Sequence, residues 1–463
     1  MDISPAHNQS LEDRDRASVF HPFTNPAAHM DSGPRIMTSG NGIRLKDNQG
    51  RAYVDALAGL WCVNVGYGRQ EIVDAIAEQA AKLPYYHSFA SMGTEPAVHT
   101  ADTLLRMAPG HMARALFGCS GSDANDSQVK LVWYYNNLLD QPQKKKIIAR
   151  DRGYHGVTVA SGSLTGLPPV HHAFDLPLPQ IVRVRCPHHY HEAEPGESEE
   201  AFAQRLGREL EETILREGPE TVAAFIAEPV MGAGGVVVPP KTYFAEVQRV
   251  LKKYDVLFIA DEVICGFGRL GTPFGCDYFG ITPDLMSVAK GITSGYQPLS
   301  AVLVSEPIWK VIEEKGSQLP VFGHGYTYTA HPIACAAANA NLAILEREDL
   351  TGNAARVGAH FQAALRERFG DHPHVGEVRG IGLIAAVELV KSREPAVNFA
   401  ASAGVGKAFA AAALDNGLIV RPMVNDAIAM SPPLVLTTKE ADEIVDLFQA
   451  SLDAITPVLR DAA

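Results

Sequence analysis

The 463-residue chain has no closely spaced pair of cysteines: Cys62, Cys119, Cys186, Cys265, Cys276 and Cys335 are scattered along it. At this length that predicts reduced, mostly buried thiols and a cytoplasmic setting rather than a disulfide framework. There is no run of about eighteen uninterrupted apolar residues, so no membrane span is expected. The most apolar window, residues 222–238, has Glu228 and Pro229 in its middle. Residues 1–16 mix Asp, Glu, His and Arg without an apolar centre, so no secretory signal is expected. Basic clusters are scarce too. The formal net charge is −13, which argues against nucleic-acid or anionic-membrane partners. The one short basic run, residues 144–146, reads as a solvated loop face.

What is present is ordinary globular material, 46% hydrophobic and 20% charged, in enough length for a large domain and a smaller companion. Residues 1–34 read as an irregular leading arm. Alternating polarity around Asp47-Asn48-Gln49-Gly50 predicts a β-hairpin over residues 42–55. Helical spacing starts near Gln70, with Ile72, Ile76 and Ala80 on one face, and Pro84 stops it. From about residue 95 to 330, helical periods alternate with short apolar runs at 115–117, 146–149, 222–227, 256–260 and 301–304. Continuous apolar runs between helices are how strands buried on both faces read, so a mostly parallel sheet in an α/β domain is expected. Residues 198–217 predict a surface helix with Ser198 as its N-cap. A long helix from Ile333, strands near 375–379 and 382–389 and a final helix from Lys439 complete a smaller α+β domain. That domain is expected to pair with the N-terminal hairpin, which divides the chain into residues 1–60 (arm and hairpin), 61–335 (large domain) and 336–463 (C-terminal part of the small domain).

Two apolar runs each end in one ionisable residue. Leu257-Phe258-Ile259-Ala260 delivers Asp261, and Met286-Ser287-Val288-Ala289 delivers Lys290. A carboxylate at a buried strand end must be paired, because desolvating it alone costs several kcal/mol. Asp261 taken singly fits a structural salt bridge, and it equally fits a carboxylate that keeps a pyridine nitrogen protonated. Burial of Lys290 would favour the neutral amine that imine chemistry needs. A lysine running its stem along apolar surface fits the same position. Gly121-Ser122-Asp123 opens a long helical pattern whose apolar side carries Val129, Val132 and Trp133. Small residues at a helix start suit an anion, and Ser122 or Asp123 would serve equally as a plain N-cap. Tyr154, after the strand at 146–149, could stack on a flat ligand or simply pack. Glu228 ends a further strand. Polar residues gathered at several strand C-termini mark where open α/β sheets bind ligands.

Two other patterns lead elsewhere. Residues 266–271 match GxGxxG after a strand and suggest a nicotinamide oxidoreductase, but Thr272-Pro273-Phe274 follows where a helix should begin. Cys186, His188, His189 and His191 lack the usual spacing of metal ligands and read as a polar loop, so no metal is expected.

The long strings at 225–235 and 261–271, with His21-Pro22-Phe23-Thr24 in the arm, resemble the class III pyridoxal-phosphate aminotransferases of fold type I. Within them, the ω-amine and ω-amino acid:pyruvate transaminases are the more similar group. The resemblance covers nearly the whole chain. It implies a seven-stranded, mostly parallel sheet in a large domain beside a small domain built from both chain ends. It implies pyridoxal 5′-phosphate joined to Lys290, which then moves the proton between substrate Cα and cofactor. Asp261 would hold the ring nitrogen, Val263 and Tyr154 the ring faces, and Gly121 and Ser122 the phosphate, with Glu228 also among the cofactor-binding residues. Thr327 would reach the phosphate of a neighbouring subunit, which implies a homodimer with shared sites or a dimer of dimers. Trp61, Phe89, Tyr154 and Phe23 of the partner subunit would wall the substrate pocket, and Arg421 would grip a substrate carboxylate.

The sequence departs from that pattern twice. Asp123 stands where most such proteins have Glu, which shortens the helix cap. Ala233 stands where users of 2-oxoglutarate commonly have Glu. The resemblance therefore implies pyruvate as acceptor for an amino group taken from an amine or ω-amino acid. Its alternatives are 2-oxoglutarate as acceptor, an aminomutase or decarboxylating aminotransferase on the same fold, the nicotinamide oxidoreductase above, or a cofactor-free binding protein.

Overall fold

The computed structural model describes residues 9–462; the expectation about a signal at residues 1–16 lies partly outside them. The arm is not irregular. Ser10 caps a helix, Leu11–Ser18, and Asn25 caps a second, Pro26–Ser32, with Pro26 at its first position.

Strands β1 (Met37–Asn41), β2 (Arg44–Asp47) and β3 (Ala52–Asp55) form an antiparallel meander, the expected hairpin being β2–β3. Asp47 accepts the Gln49 and Arg51 N–H groups at its turn. In the helix Gln70–Lys82 the buried face holds Ile72 and Gln79, while Ala80 is exposed. Gln79 spans to the Leu83 carbonyl, a polar tip on a buried stem that apolar counting misses.

The central sheet contains β4 (Met112–Gly118), β5 (Lys146–Arg150), β6 (Ile181–Val184), β7 (Val222–Ala227), β8 (Leu257–Asp261), β9 (Leu285–Val288) and β10 (Ser300–Ser305). Their order is β4-β10-β9-β8-β7-β5-β6. Only β10 runs against its neighbours, so the sheet is mixed and mostly parallel. Every residue of β7 and β10 is buried, as their unbroken apolar runs require. Sequence reading passed over β6. It is an edge strand, only half-buried, and Arg183 interrupts its apolar run.

Toward the C-terminus, β11 (Val375–Ile381), β12 (Ile384–Leu389), β14 (Arg421–Pro422) and β15 (Ala427–Met430) form an antiparallel sheet. Between β12 and β14, β13 (Leu418–Ile419) crosses to the N-terminal meander and pairs in parallel with Val54 and Asp55. The helix Thr438–Ala454 is not the last, because Thr456–Ala462 follows it.

The basic run is a correction. Lys144 is buried and pairs with the Asp255 carboxylate at 3.0 Å, Lys145 donates to Asn137 at 2.6 Å, and Lys146 pairs with Glu217 at 3.0 Å. Each ammonium donates to a carbonyl as well as a side-chain oxygen, so none of the three is a free solvated face. Among the described residues no helix is long and apolar enough to cross a membrane.

Candidate active site

Because β4, β5, β7, β8 and β9 all point the same way, their C-terminal ends meet on one edge of the sheet. A cavity of about 370 Å³ opens there. Of the residues singled out in the sequence, Gly121, Ser122, Tyr154, Glu228, Asp261, Val263 and Lys290 line it.

The floor is Asp261, the last residue of β8 and 3% exposed. Its Oδ2 accepts from Asn125 Nδ2 and from His155 Nδ1, each at 2.8 Å, and its Oδ1 accepts from the Val263 N–H at 3.1 Å. Burial alone would push this carboxyl up; His155, Asn125 and the Val263 N–H outweigh burial and hold it below its ordinary value. Sequence reading missed His155 and Asn125 as members of the site. Asn125 is fixed in turn by Gln128, whose Nε2 donates to Asn125 Oδ1 at 2.7 Å. The available signal was a polar pair, Asn125 and Gln128, on the face of the helix that buries Val129 and Val132.

Glu228 is buried at the end of β7. Its two oxygens accept from the N–H groups of Tyr154 and Gly232, both at 3.0 Å. Burial raises its carboxyl, with His155 and Arg150 opposing. It thereby ties the Tyr154 loop to the loop carrying Ala233. Arg152 and Arg379 hold that second loop through the Gly234 and Gly235 carbonyls.

Lys290 follows β9 with a left-handed backbone, φ 45°, a strained state for a side chain of this size. Burial lowers the affinity of its amine for a proton, with Cys62, Asp261 and Glu228 opposing. Its Nζ has no hydrogen-bond partner among the described residues.

The helix Gly121–Leu138 begins at the cavity. Its N-cap is Ser120, whose Oγ accepts the Asp123 N–H, not Ser122 or Asp123 as expected. Asp123 answers by accepting the N–H groups of Cys119 and Ser120 at 2.9 and 3.0 Å, and Ser300 Oγ holds its other oxygen. The shorter acid therefore closes a full capping box. With those donors used, the N–H groups of Gly121 and Ser122 have no acceptor among the described residues, and both residues line the cavity. A Cβ on Gly121 would lie 3.0 Å from Val263 Cγ1. Glycine is required for that closeness.

Arg421, on β14, lies over the buried Trp61 ring, 5.1 Å from its centroid. Trp61 is flanked by the cavity-lining Leu60 and Cys62. Trp61 and Arg421 lie beside this cavity without lining it, and three further expected members are not brought to it within one chain. Phe23 is 67% exposed, Phe89 is 47% exposed beside Phe322 and Gly325, and Thr327 is exposed with its carbonyl accepting from the Tyr85 hydroxyl.

The GxGxxG match at 266–271 starts no helix. Arg269 is fully buried there and donates to the carbonyls of Leu383 and Pro432 and to Asn64 Oδ1. The stretch joins three distant parts of the chain. The 186–191 segment is likewise a buried network, with His188 on Glu377 at 2.9 Å and His189 on the Glu197 carbonyl at 2.8 Å.

Comparison with known proteins agrees with this geometry. The chain is 48% identical over 459 residues to a diaminobutyrate–2-oxoglutarate transaminase of Halomonas elongata, covering 98% of this chain and 97% of the relative. It is 48% identical over 452 residues to the mitochondrial gamma aminobutyrate transaminase 1 of Solanum lycopersicum, covering 97% and 87%. An ω-transaminase from Pseudomonas jessenii, solved in complex with PMP, superposes with a TM-score of 0.96 at 48% identity, covering 98% of this chain and all of that one. The aminotransferase class-III family matches residues 27–452, and the chain belongs to that family.

Proposed function

We propose that the chain exchanges an amino group between a primary amine or ω-amino acid and pyruvate, using pyridoxal 5′-phosphate in a ping-pong cycle. The observation that carries this reading is the cavity with an ionised, three-donor carboxylate at its floor, an amine without a partner, and two free N–H groups at a helix start. These fit a flat cofactor with a basic ring nitrogen, an electrophilic carbon and a phosphate. Bound pyridoxal phosphate supplies the electron-accepting ring that makes the substrate Cα proton removable.

The chain's own groups do the rest. The Gly121 and Ser122 N–H groups hold the phosphate with the positive end of their helix. Asp261, kept ionised by His155 and Asn125, holds the ring nitrogen protonated. Val263 and Tyr154 cover the ring faces, and Glu228 fixes the Tyr154 backbone. Lys290, whose burial favours the neutral amine, takes the proton from the substrate Cα and returns it on the other side of the exchange. Arg421 receives a substrate carboxylate as a bidentate partner and rests on Trp61 when none is present. The donor leaves as an aldehyde or ketone before pyruvate enters and leaves as alanine.

Ala233 supports pyruvate, since no acid at that position can pair with Arg421 between half-reactions. The Halomonas elongata relative favours a second reading, with 2-oxoglutarate as acceptor. A panel of ω-amino acids and arylalkyl amines against both acceptors, with alanine and glutamate quantified separately, decides between them. Alanine in stoichiometric yield supports the first reading, and glutamate in its place overturns it. Neither product, with rearranged or decarboxylated donor instead, overturns both.

The exposed apolar side chains Phe20, Phe23, Phe89, Val321 and Tyr328 support a homodimer that brings Phe23 and Thr327 to a neighbouring cavity. Six unpaired cysteines, four of them buried, support a reducing cytoplasmic setting.

A further inference from the structure

The two arm helices, Leu11–Ser18 and Pro26–Ser32, place three metal-type ligands together. His21 Nε2 lies 2.8 Å and His29 Nε2 3.2 Å from the same atom, Asp15 Oδ1. The two imidazole rings are 4.4 Å apart, centroid to centroid. A carboxylate oxygen can accept from two donors, but here only one of the rings bonds to it. His21 makes a hydrogen bond to it, while His29 Nε2 is buried without any hydrogen-bond partner, on a side chain only 10% exposed. A buried ring nitrogen that makes no hydrogen bond to the carboxylate 3.2 Å away is left unsatisfied by protons alone.

It is a good arrangement for a cation. Ligand atoms around a tetrahedral ion bound at 2.0–2.1 Å are about 3.3 Å apart. The separations from Asp15 Oδ1 are close to that, so small shifts would seat an ion between all three. Arg16, which lines the same cavity, is turned onto Asp13 at 3.0 Å. A cavity of about 280 Å³, lined by both histidines, leaves room for a water as fourth ligand.

The other cluster of this kind, His188, His191 and Glu388, has partners at its ring nitrogens. His188 is bonded at both nitrogens, to Arg152 and Glu377, and Arg379 lies 2.6 Å from Glu388 Oε2. His191 Nε2 is bonded to Glu388 Oε1, so both rings of this cluster have partners at Nε2.

We propose that Asp15, His21 and His29 form a binding site for a borderline divalent cation of the zinc type. Both histidines bind through Nε2 as neutral rings that keep their proton on Nδ1. The ion staples the two arm helices across the turn that carries Phe23, a constraint separate from the active-site chemistry and readable without substrate.

Titration of chelator-treated holoenzyme with zinc chloride, followed by calorimetry, tests this. Wild-type protein should take up one ion per chain at this site. His29→Ala and Asp15→Asn should each weaken that event at least roughly a hundredfold, more than loss of an outer-shell partner does. Zinc should also slow tryptic cleavage at Arg14 and Arg16 in wild type only. An absence of saturable binding, or an isotherm the same in wild type and His29→Ala, overturns the proposal. Ion uptake and cleavage are both read without substrate, so neither measurement depends on whether the chain transaminates.

Discussion

Glu262, next to the floor carboxylate, offers a quantitative test of how this interior treats charge. It is fully buried and accepts the Gly275 and Cys276 N–H groups at 2.9 and 2.6 Å. Burial still dominates and raises its carboxyl from 4.5 to about 7. An acid raised in the folded state binds more protons there than in the unfolded chain throughout that window. Its contribution is therefore most favourable at the acidic end and falls as pH rises toward 7. At about 1.4 kcal/mol per unit, the whole window amounts to about 3 kcal/mol. Glu262→Gln keeps one acceptor but has no proton to lose. It should be less stable than wild type at acid pH, since its amide must face one of the two N–H donors. Between about pH 5.5 and about pH 8 that deficit should shrink by about 2 kcal/mol, because wild type alone loses stability through Glu262 over that range. Denaturant unfolding of both proteins at the two pH values, compared as a difference so that other groups cancel, measures it. A deficit that stays constant, or widens with pH, would refute the assignment of a raised carboxyl.

Three further outcomes follow from the cavity. Gly121→Ala places a methyl 3.0 Å from Val263; at about 1–3 kcal/mol for overpacking, reconstitution with pyridoxal phosphate should need roughly ten- to hundredfold more cofactor, read by equilibrium dialysis. Asp261→Asn removes the negative charge and one of the two oxygens that accept three hydrogen bonds and should lower the transamination rate at least roughly a hundredfold; a rate within a few-fold of wild type would remove Asp261 from the ring-nitrogen role. Arg421→Leu should raise KM for 2-oxo acids and ω-amino acids by roughly tenfold or more while leaving simple amine donors little changed, as steady-state kinetics on both donor classes would show.

The sequence disclosed the strands that are buried on both faces, because only there does burial leave an unbroken apolar run. It concealed β6, where an edge position tolerates Arg183, and it concealed Gln79, whose polar tip finds a carbonyl. Asp261 and Lys290 stood out as ionisable residues at the ends of apolar runs. Their supports did not: Asn125 lies 136 positions and His155 106 positions from Asp261, and no local pattern encodes so distant a partner. Lys144 was misread for the same reason, since its counter-charge, Asp255, is 111 positions away. The helix cap was misplaced by two or three residues because Ser120, Ser122 and Asp123 are all good capping residues, and only the backbone turn chooses among them.

The pairing of β13 with β3 bears on how the chain is made. Val54 and Asp55 emerge early from the ribosome, yet Leu418 and Ile419 follow only after roughly 360 more residues, about 20 to 70 s of synthesis at 5–20 residues per second. For that interval the outer edge of β3 has its N–H and C=O groups open to any strand that drifts past, including those of other nascent copies. The two ends of the polypeptide must find each other last, after the central sheet between them has already been translated. Yield from heterologous expression should therefore depend on translation speed and chaperone supply more steeply than the stability of the finished protein would suggest.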